Sequence, residues 1–208
     1  MFLLSVTEWQ PDELNAIAAI ASAAAAMIAL FVAALTAFYQ RKSLQHAWES
    51  NSASMVTKFV DDWQSAHFRH FRKRFANQLL EVRKLKSNDP QAVEFIQRIG
   101  IVDVPVLGFL ENVAYLTRRG VLDRGMVWNK FFWEVERYYI AITHPANLIN
   151  EWRRGDQTTI YCEIEWLYRN LLPYDREQRN LVVGKGGPDA SEMTTFLKEE
   201  SNLEILSV

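Results

Sequence analysis

The residues with the clearest chemical potential lie between His67 and Lys86, where HFRHFRKRF is followed by Arg83, Lys84 and Lys86 and opposed nearby almost only by Glu81. Guanidinium and ammonium groups at that density attract phosphate oxygens. Arg69, Arg72, Lys73, Arg74, Arg83, Lys84 and Lys86 are therefore candidates for contact with anionic phospholipid headgroups or nucleic-acid phosphates. The competing expectation is a solvated basic face of a bundle helix that pairs with carboxylates such as Glu111 or Glu134. His67 and His70, at i, i+3, share one helical side with Arg74, and Asp61 and Asp62 lie close in sequence. Di-metal bundles draw Glu-x-x-His from two helices and further Glu from the others, a pattern missing here, so no metal or other cofactor is expected.

Other reactive groups are sparse. The single cysteine, Cys162, sits in IYCEIEWLY without a neighbouring histidine and is expected to be a small core residue. It cannot form an internal disulfide, which suits a reducing compartment. The sequence has no GxSxG, HExxH or P-loop, and GKGGP near the C-terminus lacks the strand and helix that would make it cradle phosphate. An enzymatic reading would need convergent buried carboxylates, with Asp61, Glu111 and Glu134 as the candidates. Tryptophans and paired aromatics such as Phe131-Phe132-Trp133 and Tyr138-Tyr139 are mostly core by expectation. Where they are not, Trp128, Phe132, Trp133 and Tyr139 are candidates for a partner surface, since aromatic residues are enriched at interface hot spots.

The element that must position all of this is LNAIAAIASAAAAMIALFVAALTAFYQ, residues 14–40, which carries no charge. A bilayer core of about 30 Å needs roughly 20 apolar residues at about 1.5 Å each, and this stretch exceeds that. A soluble amphipathic helix would show a polar stripe, and none is present. A cleaved signal peptide is not expected either, because the N-terminus lacks a basic region and the apolar run is too long. Glu8, Asp12 and Glu13 precede the stretch while Arg41 and Lys42 follow it. The positive-inside rule then places the N-terminus outside and the remainder in the cytoplasm, at the inner membrane, with Trp9, Phe38 and Tyr39 as interfacial anchors. Small residues recur at Ala25, Ala29, Ala33 and Ala37, a spacing that lets spans pack closely in lipid.

From these signals the chain divides into a short outer segment (1–13), a membrane helix (14–40), a helical stalk (41–54), a cytoplasmic helical domain (55–179) and a mobile tail (180–208). The SNSAS stretch, residues 50–54, is the expected joint, because Ser and Asn are poor helix formers. Past it a single helix should run through MVTKFVDDWQSAHFRHFRKRFANQLLEVRKL. A turn follows at SNDP and a short helix at QAVEFIQRIG. Pro105 opens a helix with Val106, Leu107, Leu110, Val113, Ala114 and Thr117 on one face, closed by Arg118-Arg119-Gly120. Asp123 caps the aromatic helix after it. A break at Pro145 precedes NLINEWRRG, Asp156 caps the last strong helix, and that helix stops before Pro173. In the tail only MTTFLKEE could form a short amphipathic helix, when a partner is present. No segment alternates with a strand period, so the fold class is all-α: one N-terminal transmembrane helix extending into a helical bundle, with a flexible C-terminal tail.

The order of a single span, a Trp-containing helix with HFRHFRKRF, and then VLGFLENVAYLTRRGVLDRGMVWNKFFWEVERYYIAI resembles a prokaryotic single-span membrane-anchored helical family, domain of unknown function 4760. Phe109, Leu110, Glu111, Gly120, Leu122 and Asp123 carry the likeness, which covers roughly residues 55 to 170. It implies an all-α cytoplasmic domain on one span and brings no catalytic residue.

Composition fits this. At 208 residues with 49% hydrophobic content the chain holds one domain beyond the span, and a net charge of -2 argues against a nucleic-acid partner. The leading expectation is a non-enzymatic scaffold or accessory protein at the inner membrane, bound to a protein partner or to itself. The rival is an effector acting on bilayer or nucleic acid through the basic helix, with the Ala-rich span self-associating. The sequence leaves a small-molecule ligand undefined.

Overall fold

A serine eleven positions beyond the end of the expected joint divides the long N-terminal helical run. The computed structural model describes residues 11–84, 104–144, 147–153, 159–179 and 187–204. In it helix α1, Pro11–Gln64, passes through residues 50–54 without a break, and helix α2, Ala66–Lys84, begins after Ser65. The Ser65 hydroxyl donates to the Asp62 carbonyl at 2.7 Å and accepts the Phe68 amide at 3.2 Å. It closes one helix and N-caps the next.

The chain forms two compact units, Met1–Ser50 and Asn51–Val208. The division falls between Ser50 and Asn51, although the helix itself continues there. In the first unit, α1 contains a stretch long and apolar enough to cross a membrane, with none of its most apolar part buried. Ile20, Met27, Ile28, Leu30 and Phe31 are 65–72% exposed. Thr36 donates to its own helix, to the Val32 carbonyl at 2.8 Å, so its hydroxyl needs no outside partner.

The second unit begins with the end of α1. Ser52 is fully buried, and its oxygen accepts the Asp123 amide at 2.7 Å. That tertiary bond holds a residue whose intrinsic helix preference is weak. Helix α3, Pro105–Arg118, buries all six residues of the anticipated face. It ends in a Schellman motif: Gly120 at φ 69° donates to Thr117 O, and Val121 donates to Leu116 O. Leu122 then enters the core, and Asp123 caps helix α4, Arg124–Thr143, by accepting the Met126 amide at 2.8 Å. Helix α4 buries Val127, Phe131, Phe132, Val135, Tyr138, Ala141 and Ile142, and packs against α3 and the later helices. That central position accounts for its broad apolar surface.

A single turn, α5 (Leu148–Trp152), leads to helix α6, Cys162–Gln178. Here the expected stop at Pro173 is corrected: the proline lies inside the helix. Pro173 is exposed, while Leu171 and Asp175 on either side are buried and hold the helix on course. The tail expectation is corrected as well over the described residues 187–204. They form helix α7, Ala190–Ser201, which packs chiefly on α2 and buries Met193, Phe196, Leu197 and Glu200. Its partner is the chain itself. No strand occurs among the described residues, in keeping with the all-α expectation. The first ten residues, the turn at 87–90, the helix at 91–100, the break at Pro145 and the cap at Asp156 lie outside the described residues.

Candidate functional site

The sequence predicts a solvated basic run in α2; the structure turns one of its arginines inward. At helical spacing Arg72 falls on the same side as Phe75, Ala76, Leu79 and Val82, all buried, and so is carried into the core with them. There its Nε donates to Glu200 Oε2 at 2.8 Å and its Nη2 donates to Glu200 Oε1, a bidentate pair with the carboxylate of α7. Arg72 Nη1 donates to the Trp63 carbonyl at 3.3 Å, and the guanidinium lies 4.5 Å from the Trp63 ring centroid. From α4 the Tyr138 hydroxyl donates to Glu200 Oε2 at 2.7 Å. Burial works to lower the Arg72 pKa, but the bonds to Glu200 and its charge outweigh that and raise it. Burial, then the Glu200 charge, pushes the Tyr138 phenol well above its ordinary value. Both carboxylate oxygens of Glu200 are engaged, so this cluster is built as a clamp rather than as an acid, base or nucleophile.

The rest of the basic run is dispersed. Lys73 reaches the Leu203 carbonyl at 3.5 Å, Arg83 reaches the His144 and Ala190 carbonyls at 3.3 and 3.4 Å, and Lys84 pairs with Glu81 at 2.6 Å. Arg69 is half-buried, whereas Arg74, His67 and His70 face solvent. Lys86 lies outside the described residues. The anionic partner of Arg72 is Glu200, in place of a headgroup or the anticipated Glu111.

Glu111 has another duty. From α3 its carboxylate accepts the Glu163 and Ile164 amides at 3.1 and 2.8 Å, the second and third positions of α6. The residue preceding that helix, Tyr161, sits at φ 53° and makes no side-chain cap hydrogen bond, so Glu111 supplies a cap across the bundle. Replacing Glu111 with Ala is expected to destabilise the domain by about 1–2 kcal/mol, read from chemical denaturation in detergent. Asp61 is exposed, and Glu134 lies within the field of Arg72 and Glu200. The three carboxylates thus serve separate surroundings. Among the described residues no three His, Cys, Asp or Glu side chains are grouped to hold a metal. Burial, followed by the charges of Glu111 and Glu163, raises the Cys162 pKa, the opposite of what an activated thiolate needs.

Burial also raises the pKa of Glu134 against the lowering influence of Arg72. Above its ordinary value and up to the raised folded one, the folded protein keeps a proton that the unfolded chain has released. Stability contributed by this group therefore falls as pH rises through that window. A Glu134→Gln variant should show a smaller drop in Tm between mildly acidic and neutral pH than the parent protein.

The proposed aromatic surface resolves residue by residue. Phe132 is buried and belongs to the core. Trp128 donates to Asp175 at 2.9 Å, and Tyr139 stacks on Tyr168 with ring centroids 4.6 Å apart. Trp133 alone of the four is exposed, at 42%, with the Arg137 guanidinium 3.7 Å from its ring centroid and Phe196 edge-on beneath it. It lines two adjoining cavities of about 280 and 270 Å³ that share Trp133, Arg137 and Glu192. The first is bordered by the ion pairs Arg137–Glu136 at 3.7 Å and Arg179–Asp175 at 2.7 Å. Ala25, Ala29, Ala33 and Ala37 are exposed on α1.

Sequence reasoning missed Glu200 and Tyr138. Two signals were available: Asp189 with Glu192 three positions on, a capping box, and Met193, Phe196, Leu197 and Glu200 at i, i+3, i+4, i+7. A family model described as a domain of unknown function, DUF4760, matches residues 19–171, a span that starts inside the apolar stretch and stops before α7. No curated protein and no solved structure matches the chain.

Proposed function

We propose, from the premise that this chain belongs to the DUF4760 family, that it is a non-catalytic scaffold or accessory protein anchored in the inner membrane by α1 and binding a protein partner at the cytoplasmic face. The observation that carries this is the dual composition of α1. Its apolar stretch is exposed along membrane-crossing length, while the same helix, past Ser50, supplies buried Ser52, Val56 and Trp63 to the helical domain. Acidic residues before the stretch and Arg41-Lys42 after it favour an outer N-terminus. The buried polar groups support the reading too, because Arg72, Glu200, Tyr138 and Glu111 are committed to holding helices together. Exposed Trp133 under Arg137 has the character of an interface anchor.

Affinity purification from membranes in mild detergent, with stoichiometry measured, tests the scaffold role. A second protein or a second copy at fixed ratio is the expected result, and recovery of bare monomer alone contradicts it. Protease protection in sealed vesicles tests orientation, and digestion of the C-terminal domain from the outside would reverse it. The headgroup-contact alternative now rests on solvent-facing Arg74 and Lys84, with half-buried Arg69 beside them. Binding of residues 51–208 to vesicles regardless of anionic lipid content would remove it.

A further inference from the structure

Helix α7 is docked in a manner that another molecule can supply. Its N-terminus is capped by its own residues: Asp189 accepts the Ser191 and Glu192 amides at 2.7 and 2.8 Å, and Glu192 accepts the Asp189 amide at 2.8 Å. The helix start is complete without tertiary help. Its buried residues, Met193, Phe196, Leu197 and Glu200, follow the i, i+3, i+4, i+7 pattern of an amphipathic helix laid into a groove. The groove belongs to α2 and α4. Trp133 and Tyr138 take the Phe196 ring edge-on at 5.0 and 5.2 Å, and Arg72 with Tyr138 holds Glu200. Arg83 touches the start of α7 and Lys73 touches the chain just past its end, so α2 and α7 run antiparallel. These groove residues lie inside the family match at 19–171, whereas the occupant lies outside it.

We infer that this groove is a helix-recognition site whose ligand in trans is α7 of a second copy, each Glu200 entering the Arg72–Tyr138 clamp of the other chain. The choice of a second copy rests on complementarity, since the helix seated in the groove is this chain's own and every copy carries both halves. It also rests on the anchored reading above, because copies held in one membrane meet at raised effective concentration. The buried carboxylate supplies selectivity: a helix of the same apolar pattern without it leaves the guanidinium unpaired.

The test uses two differently tagged full-length copies, co-expressed and purified in mild detergent. Wild-type copies are expected to recover each other, and Glu200→Arg in both should cut recovery at least about tenfold. Pairing an Arg72→Glu copy with a Glu200→Arg copy should restore it, since the reversed charges then meet only between molecules. The inference is overturned if wild-type copies do not recover each other, or if Glu200→Arg in both leaves recovery unchanged. It is overturned equally if the mixed pair stays apart while the doubly reversed single chain keeps its helical content by circular dichroism. Should Glu200→Arg itself lose helical content, Glu200→Gln in both copies replaces it, with loss or retention of recovery read the same way. If exchange fails but another protein is recovered stoichiometrically, this inference alone falls; recovery of neither removes the scaffold proposal as well.

Discussion

Replacing Arg72 with Met while Glu200 is kept will destabilise the second unit by about 3–5 kcal/mol, the usual consequence of stranding one member of a buried ion pair. The carboxylate of Glu200, on a residue only 5% exposed, would retain a single donor, the Tyr138 hydroxyl. Replacing all three members of the cluster, Arg72→Met with Glu200→Leu and Tyr138→Phe, should recover most of that loss, because neither a buried charge nor the Tyr138 hydroxyl is then stranded. Thermal denaturation in detergent gives the magnitude. Amide hydrogen exchange over Ala190–Ser201 gives the mechanism: in the single variant these amides should lose protection ahead of those in α3 and α4. A single variant within about 1 kcal/mol of the parent, with α7 still protected, would show that the apolar contacts of Met193, Phe196 and Leu197 suffice and that the clamp sets orientation only.

Introducing Met27→Arg together with Phe31→Arg should abolish stable membrane association. Each arginine near the centre of a span raises the insertion free energy by about 2.5–3.5 kcal/mol, so the pair adds roughly 5–7. The margin available to absorb this is small, because much of the stretch is alanine, which drives insertion weakly. Carbonate extraction of membranes should show the variant leaving the pellet while the parent stays. The helical domain after Ser50 should be unaffected, as both substituted residues lie in the other compact unit. A variant that remains in the pellet would mean that something beyond α1 holds the protein to the membrane.

The two substitutions act on features of very different legibility. A helix long and apolar enough to cross a membrane could be read directly, because that description demands only length and uniform apolarity, which are properties of a contiguous stretch. The same holds for α3 and the entry to α4. Val106, Leu107, Leu110, Val113, Ala114 and Thr117 were legible as a face from spacing, and the Gly120 ending and Asp123 cap from local backbone chemistry. Phe109, Leu110, Glu111, Gly120, Leu122 and Asp123, which carry the family likeness, all have architectural duties: ring packing, core, a cap across the bundle, a Schellman turn, core again and an N-cap.

By itself, then, the sequence determined the all-α class, the membrane-length helix, the face of α3 and the caps that join it to α4. Each of these depends on residues within a turn or two of one another, or on a uniform run. Tertiary structure alone decided that Ser65 and not Ser52 interrupts the helix, that Pro173 is tolerated inside α6, that Glu111 caps a helix more than fifty residues away, and that α7 docks. The common reason is compensation from a distance. Ser52 is held by Asp123, α6 by the burial of Leu171 and Asp175, and Arg72 finds its counter-charge 128 residues further on, at Glu200. Local spacing in α7 can place Glu200 on a buried face, but no local pattern pairs it with Arg72, and the same arginine in the same run would be a surface charge if α7 were elsewhere.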